Sequence, residues 1–193
     1  MSFPNTWKST KGMMVMPDKL DDRIRLVEEH VQAENAHDLD RIMTTFGKQA
    51  YYEDQPWDEH HQGPGGVQAY YTRLLSALPD LHIAIERRHV TQDDVILEVM
   101  ITGTHRGEWR GLPATGRRVR IPLCGVFTFD DVGKLAGERI YYDRAAILRQ
   151  IGLFHEPSTA LGRSLTALSH PLTVLQAYAS AAVRRMRKRS ATI

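Results

Sequence analysis

"DDVILEVMITGTHRGEWRGLPATGRRVRIPLCGVFTF", residues 93–129, is the stretch whose reading decides the fold class. It reads as a strand over 95–104, a long loop "RGEWRGLPATG", and a second strand over 118–129. Upstream, Leu81, Ile83 and Ile85 alternate with His82, Ala84 and Glu86, the period-two signature of a half-buried strand, and "DD" at 93–94 turns the chain. Downstream, "DDVGK" predicts a hairpin turn and residues 135–142 a further strand. The four strands form an antiparallel meander.

Before the meander the period is helical. Leu20, Ile24, Val27 and Val31 share one face of a helix starting near Asp18. After "NAHD", Leu39, Ile42, Met43 and Phe46 predict a shorter helix closed by Gly47. "AYYED" reads as a short strand and "QPWDEHHQGPGG" as a loop. Val67, Tyr70, Tyr71, Leu74, Leu75 and Leu78 predict a third helix, stopped by Pro79. Helices first, then a run of strands, gives an α+β domain with its helices on one side of a curved sheet. After Leu153 the pattern is helical again, broken at Pro157 and Pro171, with a stripe of Leu172, Leu175, Ala179, Ala182 and Met186. The expected organisation is a flexible segment at 1–17, a domain at 18–153 and a basic helical extension at 154–193.

The single cysteine, Cys124, excludes a disulfide framework and a thiolate zinc site. No apolar run is long enough for a signal peptide or a membrane span, so a cytoplasmic location is expected. The net charge of +2 is unevenly spread: from Pro157 onward there are six Lys/Arg and no Asp/Glu. The acidic body excludes nucleic acid as a partner. The basic tail is expected to pack on its own domain or in a dimer, with an anionic membrane surface as the less favoured partner.

The chain resembles the SnoaL-like polyketide cyclase family of the NTF2-like superfamily. The likeness rests on "LPDLHI" at 78–83, "DDVILEVMITGTHRGEWRGLPATGRRVRIP" at 93–122, "GKLAGERIYYD" at 133–143 and "ILRQIGL" at 147–153, in order. The resemblance implies an NTF2-like cone: a curved, mostly antiparallel sheet wrapped by helices around a deep apolar pocket. It also implies a homodimer built through the sheet and a small hydrophobic ligand, a polyketide- or steroid-like carbonyl compound. Three activities follow as alternatives: a cofactor-free acid/base cyclase or isomerase, a non-catalytic ligand- or protein-binding module, and an epoxide-hydrolase-like enzyme. Neither metal nor cofactor is expected.

By resemblance Asp143 occupies the position of the cyclases' proton-shuttling aspartate. A carboxyl at the inner end of a strand would be desolvated, raising its pKa toward the range useful for proton transfer. Its structural alternative is the N-cap of the helix that follows. The histidine that the cyclases carry on the preceding strand has no counterpart in "RVRIPLCGVFTF", where Thr128 and Cys124 stand instead. Alternation puts Tyr141 on the face of Asp143, and Tyr51 with Glu53 opposite Tyr52 with Asp54. Glu53 is the expected pocket residue of the first strand, so the substrate-binding set is Tyr141, Thr128, Glu53, Trp57 folding in from its loop, and His105. "DEHH" at 58–61 lacks a second His/Cys group at matching spacing and reads as a solvated loop rather than a metal site.

Overall fold

A computed structural model describes residues 17–190. The flexible segment expected at the N-terminus therefore lies, but for Pro17, outside the described residues. The chain divides into two compact units, 1–144 and 145–193. In the first, the element order is α1 (Pro17–Asn35), α2 (Leu39–Thr45), β1 (Phe46–Asp54), a single 3-10 turn (Gln55–Trp57), β2 (Glu59–Gln62), α3 (Gly63–Ala77), β3 (His82–Val90), β4 (Asp94–Thr104), β5 (Arg118–Phe129) and β6 (Leu135–Tyr142). The six strands make one sheet in the order β2-β1-β6-β5-β4-β3. The meander β3 to β6 is antiparallel as expected. β1 runs parallel to β6 and antiparallel to β2. Register shifts in β1–β6, β3–β4 and β5–β6 bend the strands, which is how an open sheet acquires its curvature.

Two local expectations change. "EHHQ" is not loop but the edge strand β2, too short and polar to show an apolar period. Gly47 lies inside β1, while Phe46, already extended, is the C-cap of α2. A Cβ on Gly47 would collide with the Asp130 carboxylate, so the glycine serves close approach rather than a helix end.

The inner face of the sheet is set by pairing. Tyr52 stands beside Glu138, and Glu138 beside Phe127. These three, with Asp54, Ile140, Leu97, Val99 and Ile83, are buried against Val27, Val31, Ile42, Val67 and Tyr71 of the helices. Each full-sized apolar side chain so buried contributes about 1.5–3 kcal/mol. The end of α1 is clamped to edge strand β3: the Asn35 amide donates to the Ile83 carbonyl (2.9 Å) and accepts from its N–H (2.7 Å).

The loop at 105–117 is ordered. The His105 N–H donates to the Arg117 carbonyl and the Gly116 N–H to the His105 carbonyl, and Trp109 pairs with Leu112 in both directions. Arg106 and Gly107 donate to the Ala77 carbonyl at the end of α3 (3.0 and 3.1 Å). A Cβ on Gly107 would strike the Ser76 carbonyl oxygen, so only glycine lets the loop sit this close.

The second unit holds most of α4 (Arg144–Gln150), then α5 (Ala160–Ser169) and α6 (Pro171–Ser190). Thr159 caps α5 by accepting from the Gly162 N–H at 3.0 Å. Leu172 and Leu175 of the expected stripe are exposed, as is Ala179. Among the described residues no helix is long and apolar enough to cross a membrane.

Candidate functional site

Strand parity separates the residues singled out from sequence. Tyr141, Thr128 and Glu53 lie on the outer face. Thr128 hydrogen-bonds Tyr51 (3.0 Å), and Glu53 pairs with Arg139 and lies 3.5 Å from His60. The Arg139 guanidinium holds the Glu53 carboxyl below its ordinary range. Tyr141 is 44% exposed, and Asp143, past the end of β6, is exposed too. The expectation of a buried, desolvated Asp143 is thus not met: the parity it shares with Tyr141 carries it away from the core. Trp57 and His105 do lie near the interior. His105 is fully buried at the base of the loop, its Nδ1 3.1 Å from the Thr115 hydroxyl, and burial lowers its pKa.

The inner face presents a different acid. Asp54, the last residue of β1, is 0% exposed. The Tyr142 hydroxyl donates to its carboxylate, 3.0 Å from either oxygen, and the Tyr70 hydroxyl lies 3.4 Å from Oδ2. The Arg110 guanidinium sits 2.6 Å from the same oxygen and also pairs with Glu59. Burial pushes the Asp54 pKa up; Arg110 and the two phenols pull against it without cancelling it. Burial likewise raises Tyr70 and Tyr142, so both stay protonated donors. Arg110 stacks over Trp57 (4.6 Å) and Trp109 (5.4 Å), and Arg144 covers Trp57 at 4.8 Å. A shallow recess open to solvent adjoins this cluster, lined by Glu59, Tyr70, Arg73, Leu74, Trp109 and Arg110.

A second polar group lies deeper. His30 of α1 is fully buried, with Nδ1 2.8 Å from the Thr45 hydroxyl and Nε2 2.9 Å from the Tyr71 hydroxyl. Tyr71 donates to Glu138 at 2.8 Å. Burial alone would lower the His30 pKa, but the charges of Glu34 and Glu138 outweigh it and raise the value. Burial pushes Glu34 up to about 7, against the pull of His30. Ligand atoms of His30, Glu34 and Glu138 lie within 4.8 Å of one another, a donor set suited to a divalent cation. Both ring nitrogens of His30 already have partners, however, so the arrangement reads first as a proton-sharing network. Tyr70 links the two groups, stacked on Tyr52 at 4.0 Å and edge-on to Tyr71 at 5.8 Å.

"DEHH" does not converge on one point. Glu59 faces Arg110 and His61, while His60 lies between Glu53 and Asp58. Sequence reading missed Asp54, Arg110, His30, Glu34 and Glu138. The signals existed: Asp54 alternates with Tyr52, and His30 falls three residues after Val27 on the apolar face of α1. Nothing in the sequence brings Arg110 to Asp54 across 56 positions.

Residues 24–151 match the family described as SnoaL-like polyketide cyclase. No curated protein matches the chain. Among solved structures, AclR, a proposed hydroxylase from Streptomyces galilaeus, is similar at 26% identity, over 70% of this chain and 99% of that one, with a TM-score of 0.62. A proposed SnoaL-like polyketide cyclase from Jannaschia sp. CCS1 is similar at 22% identity, over 72% and 97%, with a TM-score of 0.65. The epoxide hydrolase/cyclase-like enzyme SalBIII, of pyran ring formation in salinomycin, shares 22% identity over 64% and 92%, with a TM-score of 0.56.

Proposed function

The chain belongs to the SnoaL-like polyketide cyclase family, and from that premise we propose that it is a cofactor-independent acid/base catalyst acting on a small apolar carbonyl compound. Asp54, not Asp143, is the proton shuttle. One observation carries the reading: a fully buried carboxyl with a raised pKa, held by two phenols and an arginine beside an open recess. The carboxylate takes a proton from carbon next to the carbonyl, and the carboxylic acid so formed returns it to the product oxygen or to another carbon. Tyr142 and Tyr70 fix the orientation of the carboxyl, and Arg110 keeps a reactive fraction ionised. Trp57, Arg110 and Trp109 cover Asp54 and must part to admit substrate.

The test is exchange of the acidic C–H of 2-tetralone into deuterated water, followed by NMR. The full chain should accelerate exchange, and Asp54→Asn should lower the rate by at least about 100-fold while ligand affinity is kept. Equal rates in the two proteins, or no acceleration by either, would reject the proposal.

One observation favours a second reading. Arg110 bridges two carboxylates, Asp54 and Glu59. Such an arrangement suits epoxide opening, with Asp54 protonating the epoxide oxygen and Glu59 activating water. Hydrolysis of styrene oxide that is lost in both Asp54→Asn and Glu59→Gln, with no exchange of 2-tetralone, would select it.

A further inference from the structure

The recess beside Asp54 is more basic than its acid content explains. Its wall carries Arg73 and Arg110 against one acid, Glu59. Arg144 stands behind Trp57, and the remaining acid, Asp54, has a carboxyl that burial shifts toward its neutral form. Arg73 is exposed and has no acidic partner within ion-pair distance among the described residues. Arg110 is engaged at both terminal nitrogens, yet its Nε–H is buried and unpartnered. The Trp57 indole N–H, also buried, is turned to the Tyr142 hydroxyl instead and does not line the recess. Buried N–H groups left unpaired cost free energy, and they cluster where a ligand supplies the missing acceptor. Arg110 is packed against two indoles, and its backbone is in the left-handed region at φ 55°, a strain that persists only where surrounding structure imposes it.

We propose that this recess binds a carboxylate carried by the ligand, with the Arg110 Nε–H and the Arg73 guanidinium as its anchors. The unpaired Arg110 donor and surplus positive charge, with an apolar wall from Trp109 and Leu74, fit a planar anion on an apolar body. The substrate class narrows accordingly, from any apolar carbonyl compound to one bearing an acid group at the end that enters last. The inference rests on the reading of Asp54 as the reacting group only for which end that is; the anion site itself does not depend on it.

The probes are 2-naphthoate and its methyl ester, equal in ring system and different in charge, with binding to the full chain followed by ligand fluorescence. The acid should bind about 10-fold tighter than the ester, the worth of one charge-assisted hydrogen bond. Raising salt to about 0.5 M should weaken the acid and leave the ester unchanged. Arg73→Gln, at an exposed position, should abolish the preference without altering ester affinity or the circular dichroism spectrum. Equal affinity for acid and ester, or a preference that survives Arg73→Gln, would overturn the proposal. Asp54→Asn separates it from the catalytic reading: the acid preference should persist or grow there, because a negative charge has gone. Loss of exchange in Asp54→Asn with a retained preference would support both proposals; loss of exchange there with no preference for the acid in either protein would sink the anion site alone.

Discussion

Asp54 and Glu34 illustrate what burial does to a carboxyl when its partners differ. Asp54 is pulled down by Arg110 and two hydroxyls, so its raised pKa still allows ionisation. Exchange activity should therefore rise with pH through a midpoint above the ordinary aspartate value of 3.8. Tyr142 hydrogen-bonds the ionised form and holds that midpoint down. Tyr142→Phe should move it upward, read from a pH–rate profile; an unmoved profile would detach Tyr142 from the reacting group. Glu34 keeps its proton in the fold from its ordinary 4.5 up to about 7, and His30, also raised, keeps its own longer than in the unfolded chain. Across that window the folded protein binds more protons than the unfolded one. The stabilisation is complete at acid pH and is lost as pH rises through about 7. Glu34→Gln mimics the protonated form. It should melt at nearly the same temperature as the native chain at pH 5 and above it at pH 8, with up to about 3 kcal/mol separating the two limits. A constant difference at both pH values would contradict the assignment.

At the scale of elements, the loop between β4 and β5 is the piece on which the site depends. It delivers Trp109 and Arg110 to the end of β1, and its foot is fixed by Gly107 against the last turn of α3. Gly107→Ala should destabilise the chain by about 1–3 kcal/mol, the usual range for overpacking, and should lower 2-naphthoate binding with it. Urea unfolding and the fluorescence titration check both; an unaffected protein would show that the loop can lift off α3 at no cost. The meander was legible because its strands alternate and its turns carry Asp and Gly. β5 and β6 match the predicted spans, whereas β2 was not legible: four polar residues in an edge strand carry no period. Glu53 and Asp54 show the limit of alternation. It separates the two faces of β1 correctly but cannot say which one is inside, and choosing the wrong face exchanges a surface ion pair for the buried acid.

At the scale of the molecule, the outer face of the sheet carries apolar pairs between its charged groups, among them Glu53 with Arg139 and Glu98 with His89. Ile96 stands beside Val126, Met100 beside Pro122, and Cys124 beside Tyr141, all partly or fully exposed. We propose that a second copy of the chain covers this face. Light scattering after gel filtration should give the dimer mass, and Met100→Glu should reduce it to the monomer; a monomeric native chain would refute the pairing. Tyr141 and Thr128, expected in the pocket, belong to this face instead. The sequence by itself determined the α+β class, the order of the meander and the family, because period, turn chemistry and ordered motifs are local properties of the chain. It could not determine the site. Asp54 becomes a candidate catalyst only when the parallel pairing of β1 with β6 turns it inward beside Tyr142, and when a loop 56 residues away brings Arg110 to it. Desolvation and charge pairing depend on distance in space, and those distances exist only once the sheet has curved and closed against its helices.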